Sequence, residues 1–512
     1  MAVRVDPPGL VRLGSATGRW VLVASVLGSG IAGIDATVVN VALPSLGRDL
    51  HATFGGLQWT ITGYTLTLAS LILVGGSMGD RYGRRRVFTV GVIWFAAASA
   101  VCAVAPTIGL LIAARGLQGV GGALLTPGSL ALISASFVPE DRGKAIGAWS
   151  GFSGIASAIG PFLGGYLIAG PGWRWIFIIN VPLAAVVVVV TRRHVPETRD
   201  VNAVARLDLL GAGLGVLGLG GLTYALIAVG GGWSATVVVV GVLGLSCLLG
   251  FARTELRSAH PMIAPGMFAN RQFTAANLVT FVVYAALGGV FFLLVVNLQV
   301  VGGFSPLLSG AALLPVTAIM LVLSARAGAL AGRIGPRLPM SLGPVVASLG
   351  VLLLLRIGRH ASYAADVLPA MVVFGLGLSL FVAPLTTTVL AAAPVRHAGV
   401  ASGVNNAVAR AAGLLAVAVL PVIAGISGND YQHPSRFSGG FHIAMITCAA
   451  LLVLGGLVSV ACIRNPPAPA PAANCQHHCA IEGPPVEAEP GMPADEIARQ
   501  AQRPTNRPLR WA

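Results

Sequence analysis

The sequence predicts an all-α polytopic membrane protein with fourteen transmembrane helices, arranged as two six-helix halves plus an inserted pair. Three observations carry that expectation. The chain is apolar and poor in charge, its apolar runs are continuous and of bilayer length, and a basic, glycine-rich turn occurs twice at one constant offset.

Of 512 residues, 55% are hydrophobic and 10% are charged, and mean hydropathy is +0.84. A water-facing surface needs about 25% charged residues, so a large soluble core is excluded. The apolar runs do not alternate as the strands of a membrane barrel do; they span about 20 residues each, the length of a membrane helix. The net charge of +15 is not interleaved with aromatics in basic blocks, so nucleic acid is not an expected partner. The lipid bilayer is. The first residues hold three arginines but no small-residue cleavage site, so the first span is read as retained.

The chain divides as follows. Residues 1–20 form an N-terminal segment. Residues 21–191 form a first six-helix half, with apolar runs at about 21–43, 57–75, 87–105, 108–137, 145–169 and 175–190. Residues 192–272 hold an inserted pair, 209–229 and 235–252, with its flanking loops. Residues 273–463 form the second half, with runs at 273–300, 307–325, 340–355, 367–391, 400–426 and 441–463. Residues 464–512, rich in Pro and Ala, read as a disordered tail. Most of the 32 basic residues fall on one side of this serpentine. The other side keeps Arg48, Arg174, Arg356, Arg359 and Arg436, and Arg115 and Arg410 fall within spans. The positive-inside rule then puts both termini in the cytoplasm; a bacterial plasma (inner) membrane is the expected location.

The basic turn runs from Gly76 to Arg86 between the second and third runs. At one offset Gly76, Arg81, Gly83 and Arg85 map onto Gly328, Arg333, Gly335 and Arg337, while Asp80 maps onto Gly332. Arg142-Gly143-x-Ala145-x-Gly147 and Arg396-x-x-Gly399-x-Ala401-x-Gly403 repeat at a similar offset, as two halves related by an axis along the membrane normal would. Asp80 can cap the following turn or pair with arginines, and Gly76, Gly79 and Gly83 can let helices approach closely. A charged cluster of this kind can hold one conformation and release it in another.

Asp35 is the one acidic residue well inside a span, about 21 Å along the first helix. A carboxylate there is costly unless it is paired or faces a cavity, and marks function by default. Desolvation favours its protonated form and a nearby cation its charged form, so a site between those pulls can take and release a proton. A fixed structural ion pair is the plainer alternative. Arg115 in the fourth span is always charged; if spans one and four both face the cavity, Asp35 is its partner. Arg410 lies in the other half, where Asn405 and Asn406 can help satisfy it. Asn40, Gln118, Asn405, Asn406 and Arg410 are candidate polar groups of a central cavity. In the fifth span Gly151, Gly154, Gly160, Gly164 and Gly165 permit close helix packing, and Pro161 permits a kink.

Of six cysteines, Cys102, Cys247, Cys448 and Cys462 sit in apolar runs as small buried residues. Cys475 and Cys479 flank His477 and His478, but the spacing is unlike a zinc finger, and no metal site is expected.

Together these stretches resemble the fourteen-helix drug:proton antiporter family of the major facilitator superfamily. The resemblance rests on Asp35-x-Thr37-Val38-Val39-Asn40-Val41-Ala42-Leu43-Pro44, Gly76-x-x-x-Asp80-Arg81-x-Gly83-Arg84-Arg85 and Arg115-x-x-Gln118-Gly119-x-Gly121. It extends through Gly160-Pro161-x-x-Gly164-Gly165, Trp173-Arg174-Trp175-Ile176-Phe177-x-x-Asn180-x-Pro182 and Leu207-Asp208-x-x-Gly211. It implies alternating-access export of small hydrophobic drugs, antibiotics or metabolites in exchange for protons, with resistance as the outcome. It also implies that Asp35 is the proton site, Arg115 its electrostatic tuner, and the fifth helix an element at the interface of the halves that limits leak. The lost aspartate at Gly332 and the single intramembrane acid are departures. With one acid, neutral, weakly charged or zwitterionic compounds rank with cations as cargo.

The proton gradient is the expected energy source, without ATP or another cofactor: the pattern G-x-x-x-x-G-K-[ST] is absent, and Lys144 is the only lysine. An enzyme is not expected, because His51, His194, His260, His360, His397 and His442 are scattered and form no nucleophile–base pair. Two alternatives share the fold, a proton-coupled metabolite symporter or importer and a narrow natural-product self-resistance exporter. The arginine-rich, alanine- and glycine-rich composition hints at a high-G+C bacterium. A monomer is the working expectation.

Overall fold

A computed structural model describes residues 10–199, 208–258, 265–393 and 398–465. The tail with Cys475, His477, His478 and Cys479, and also Arg206, Leu207, His260, Arg396 and His397, lie outside the described residues.

Fourteen helical segments among the described residues are long and apolar enough to cross a membrane. The first half comprises α1 (Ala16–Asp49), α2 (Phe54–Tyr82), α3 (Arg84–Val104), α4 (Ile108–Ser136), α5 (Pro139–Ala169) and a split sixth span, α6 (Trp175–Ile178) with α7 (Asn180–His194). The inserted pair is α8 (Leu209–Val229) and α9 (Ala235–Arg257). The second half comprises α10 (Arg271–Val300), a split span of α11 (Pro306–Ala311) with α12 (Leu314–Ile334), α13 (Arg337–Leu353), α14 (Leu368–Ala391), α15 (Ala398–Ile423) and α16 (Pro434–Cys462).

Local chemistry explains the ends and breaks. Ser15, Thr53, Thr107, Ser234 and Ser305 each accept an amide of the following turn at a helix start, the usual N-cap contact. Asp208 does the same for α8, accepting from the Gly211 amide at 2.7 Å. The two split spans have a shared cause. Proline brings no N–H to the carbonyl four residues back, so Pro182 leaves Ile178 and Pro315 leaves Ala311 without an amide partner. These are the residues at which α6 and α11 end.

The halves repeat one packing scheme. In the first, α4 lies against α2 and α3, α1 against α5 and α7, and α3 against α7; in the second, α14 lies against α12 and α13, α10 against α15 and α16, and α13 against α16. Between them α8 and α9 form a hairpin that crosses at Gly221 and Gly244, where a side chain on either glycine would meet the other helix's backbone. This hairpin rests through α8 on α2 and α15.

The serpentine puts the α2–α3 turn at one end of the bundle, here the basic end. At the far end the halves are joined. Phe54 N donates to Gly428 O at 2.7 Å and Tyr431 Oη to Ala52 O at 2.8 Å. Gln299 Nε2 donates to Val41 O at 2.9 Å and Gln58 Nε2 to Val417 O at 2.7 Å. Phe54 packs on Phe292, Phe437 and Tyr431, with ring centroids 5.5, 6.1 and 6.2 Å away.

Candidate functional site: a buried carboxylate behind a cavity wall

Asp35 and Arg115 meet, as their charges require. The Asp35 Oδ2 atom accepts from an Arg115 terminal nitrogen, and Oδ1 accepts from Gln118 Nε2 at 2.8 Å and Asn180 Nδ2 at 3.1 Å. Both amides also donate to Ser99 Oγ, at 2.8 and 3.3 Å. Arg115 Nε donates to the Thr60 carbonyl at 3.1 Å, and its guanidinium lies 4.4 Å from the Tyr64 ring centroid and 5.8 Å from that of Phe177. Five of the six spans of the first half therefore converge on one carboxylate. Asp35 is 0% and Arg115 1% exposed, so each charge depends on the other in a medium where an isolated ion is very costly.

This corrects the expected orientation. Asp35, Arg115 and Gln118 do not line a cavity; they are enclosed within the first half. The cavity lies on another face of α1. It has a volume of about 910 Å³ and is walled by α1, α5, α10, α12 and α14, with Asn40, Gly151, Gly154 and Pro161 in its lining and no charged side chain among the described residues that line it. Ala36 and Thr37 line it, one and two residues from the buried Asp35. The rotation that hides the pair is set by packing. A Cβ on Gly119 would meet the Tyr64 backbone, and one on Gly121 would stand 2.7 Å from Phe95 N, so α4 is held close to α2 and α3 with Arg115 turned inward.

The fifth span divides into two parts. Gly160 and Gly164 abut Thr37 and Val38 of α1, and Gly165 lies where a Cβ would come within 2.6 Å of Leu307 Cα in the other half. Gly143, Gly147, Gly151 and Gly154 have open space where a Cβ would stand. Pro161 lies within a continuous α5. Its missing amide leaves the Ser157 carbonyl free, and Thr37 Oγ1 reaches that oxygen at 3.1 Å while also reaching the Ile34 and Gly33 carbonyls of its own turn.

At the basic turn Asp80 pairs with Arg84, at 2.9 Å from Nε and 2.7 Å from a terminal nitrogen, while Arg81 lies 5.0 Å from the Tyr82 ring centroid. Asp80 is not the cap. That place belongs to Glu197, whose carboxylate accepts from the Arg85 and Arg86 amides at 3.0 and 3.2 Å. Arg85 also donates to Val195 O at 3.1 Å. Gly76 and Gly79 make no unusually close approach. Gly83 does, with φ 106° and the Glu197 carboxylate 2.7 Å from where a Cβ would stand. The second copy preserves this construction. Gly335 has φ 86°, Asn465 Oδ1 accepts the Arg337 amide at 3.1 Å, and Arg337 Nε donates to Val460 O at 2.9 Å.

The second-half polar residues separate. Asn405 Nδ2 donates to Thr280 Oγ1 at 2.7 Å and Asn277 Oδ1 at 3.2 Å, tying α15 to α10; it does not contact Arg410. Asn406 does, accepting from Arg410 Nε at 3.0 Å. Cys102 and Cys448 are buried, but Cys247 is half-buried and Cys462 exposed. Ser99, Tyr64 and Glu197 were not singled out from the sequence, and Asn180 stood only in a family motif with no role assigned. A polar residue in a strongly apolar run was the available signal for Asn180 and Ser99.

The fold and the buried pair define a polytopic helical carrier: two repeated helical halves, joined at one end, around an inter-half cavity. The chain belongs to the major facilitator superfamily, whose model matches residues 25–208 and 203–417. It is 37% identical to the multidrug resistance protein Stp of Mycobacterium tuberculosis over 391 residues, 75% of this chain and 72% of that protein. It is also 37% identical to the puromycin resistance protein pur8 of Streptomyces alboniger over 409 residues, 79% of this chain and 81% of that one. Among solved structures, a bacterial homologue of the human lysosomal transporter Spinster, inward-facing and unoccupied, superposes with a TM-score of 0.61 over 88% of this chain and 97% of that one. At 16% identity, that likeness shows the fold.

Proposed function

We propose that this carrier exports small, largely apolar compounds across a bacterial plasma membrane in exchange for protons, and thereby confers resistance to them. The observation that carries the coupling is the placement of Asp35. Its carboxylate sits on one face of α1, and another face of the same helix lines the cavity. The resistance phenotypes named for the relatives support the direction and the class of cargo.

When charged, Asp35 satisfies Arg115, Gln118 and Asn180 together. Protonation removes the charge that anchors Arg115 and turns an acceptor into a donor. Asn180 Oδ1, which has no partner among the described residues, is the acceptor at hand. The exchange loosens the hold of α3, α4 and α7 on α1, and α1 transmits the change to α5 through Thr37 and the Gly160–Gly164 contact. With the basic end in the cytoplasm, as its arginines favour, the joined far end and the open face of α5 correspond to an inward-facing state. A charge-free cavity wall suits apolar cargo, while the carboxylate exchanges its proton out of direct contact with that cargo. The basic turn and its copy act as the matched anchors of the two halves.

The test is a susceptibility panel of dyes and natural-product antibiotics in an efflux-deficient host. Wild type, Asp35→Asn and empty vector are compared at matched membrane expression. Protection by wild type alone supports the proposal, and equal protection by Asp35→Asn removes the coupling residue.

A further inference from the structure

Arg410 is a guanidinium near the middle of α15 that the mechanism above does not use. Its height in the bundle is fixed by two contacts between α15 and the antiparallel α2. Gln58 bonds to Val417 O towards the far end, and Leu73 lies 3.2 Å from where a Gly403 Cβ would stand towards the basic end. Arg410 is two helical turns from each, which sets it at the boundary between the halves, level with Tyr64. It interacts electrostatically with Tyr64 of the first half and with Tyr284 of its own, and the same Tyr64 ring packs on the Arg115 guanidinium.

The balance of partners is unusual for an intramembrane cation. Arg410 Nε is committed to Asn406 Oδ1, while its two terminal nitrogens have no hydrogen-bond partner among the described residues. The side chain is half-buried, so these nitrogens face accessible space. Asp35 cannot serve them: it is fully enclosed, and both its oxygens are occupied. The neighbouring Asn406 is exposed, and its amide nitrogen has no hydrogen-bond partner among the described residues. A paired set of guanidinium donors matches a carboxylate in bidentate geometry, and an unpaired cation at this depth is costly unless an anion reaches it in part of the cycle.

We infer that Arg410, with the Asn406 amide, forms an anion subsite between the halves that engages the acidic group of an amphipathic aromatic substrate, a carboxylate or a similar oxyanion. The subsite lies on the α2–α15 side of the bundle, and the charge-free cavity lies on the α5–α12 side. A cargo with an apolar body and one acidic group suits the two together. This inference rests on the export reading for its meaning, but the binding it asserts can be measured without transport.

The probes are anthracene-9-carboxylate and its methyl ester, which differ in charge and little in shape. Binding to the purified full-length protein in phosphatidylcholine nanodiscs is read from the fluorescence of each compound. Wild type is expected to bind the acid at least about tenfold more tightly than the ester. Arg410→Gln should remove that preference while leaving the ester's affinity within about twofold, and Arg410→Lys should keep part of it. Arg410→Met, which also removes the charge, takes the place of Arg410→Gln if that variant does not fold. No preference in wild type, including no binding of either compound, overturns the inference, as does a preference that survives in both variants. Loss of acid binding when phosphatidylglycerol replaces phosphatidylcholine would make a lipid headgroup the anion and overturn it too. Acid-selective binding that depends on Arg410 in a protein that exports neither compound upholds the subsite and counts against the export reading alone.

Discussion

The Thr37 hydroxyl of α1 shares its proton between the Ser157 carbonyl of α5 at 3.1 Å, the oxygen that Pro161 leaves without an amide, and the Ile34 and Gly33 carbonyls of its own helix at 3.0 and 3.1 Å. Thr37 stands two residues from Asp35, so the fifth helix is tied directly to the helix that carries the buried carboxylate. Replacing Thr37 with Val keeps the shape and deletes the donor. A hydrogen bond is worth about 0.5–1.5 kcal/mol net, and thermal unfolding in detergent should show a loss of that order at this part-buried site beside the cavity. Pro161→Ala restores an amide to Ser157, so the double variant should be less unstable than the sum of the single changes; strict additivity counts against the link.

Glu197 and Asn465 cap α3 and α13 from the segments that follow the last span of each half. Truncating either to Ala should lower stability by about 0.5–2 kcal/mol, as at other N-caps. Gly83→Ala should cost about 1–3 kcal/mol from backbone strain, and more from collision with the Glu197 carboxylate. Thermal shift assays on the purified protein check all three, with Glu197→Asp expected to lie between Ala and wild type.

Gly151 and Gly165 share a helix but differ in surroundings. A side chain at Gly165 meets the α11 backbone of the other half, so Gly165→Leu should hinder closure of the far end and weaken retention of accumulated dye. Gly151→Leu meets open space in this state. It should leave unfolding temperature unchanged and reduce export of bulky compounds more than of small ones.

Arg115 and Arg436 offer a contrast in burial. Removing Arg115 leaves a buried carboxylate unpaired, a loss of about 3–5 kcal/mol, with transport impaired. Arg436 pairs with Asp430 at 3.6 Å while 74% exposed, and such pairs are worth about 0–1 kcal/mol. Arg436→Ala should transport like wild type.

Much of this was legible before any coordinates. Bilayer length marks the spans, and the cost of an intramembrane charge obliges Asp35 and Arg115 to find each other. The face on which they meet was not legible. An apolar helix in lipid has no polar side to read, and the rotation of α4 is fixed by glycines whose neighbours lie in other spans. Glu197 was hidden for a different reason: it sits in a polar link with no periodicity, more than a hundred residues from the amides it caps. Its position just after the sixth span, matched by Asn465 after the last, was a signal available to an internal-repeat comparison carried past the helices. Gly76 and Gly79 misled because glycine permits close approach without requiring it.

The central claim is that proton movement passes through Asp35. Everted membrane vesicles, acidified inside and loaded with a pH-sensitive dye, test it when a compound that the wild type protects against is added. Wild type should release protons from the vesicle on each addition, and Asp35→Asn at equal abundance should release none while still binding the compound. Proton release by Asp35→Asn equal to that of wild type contradicts the account.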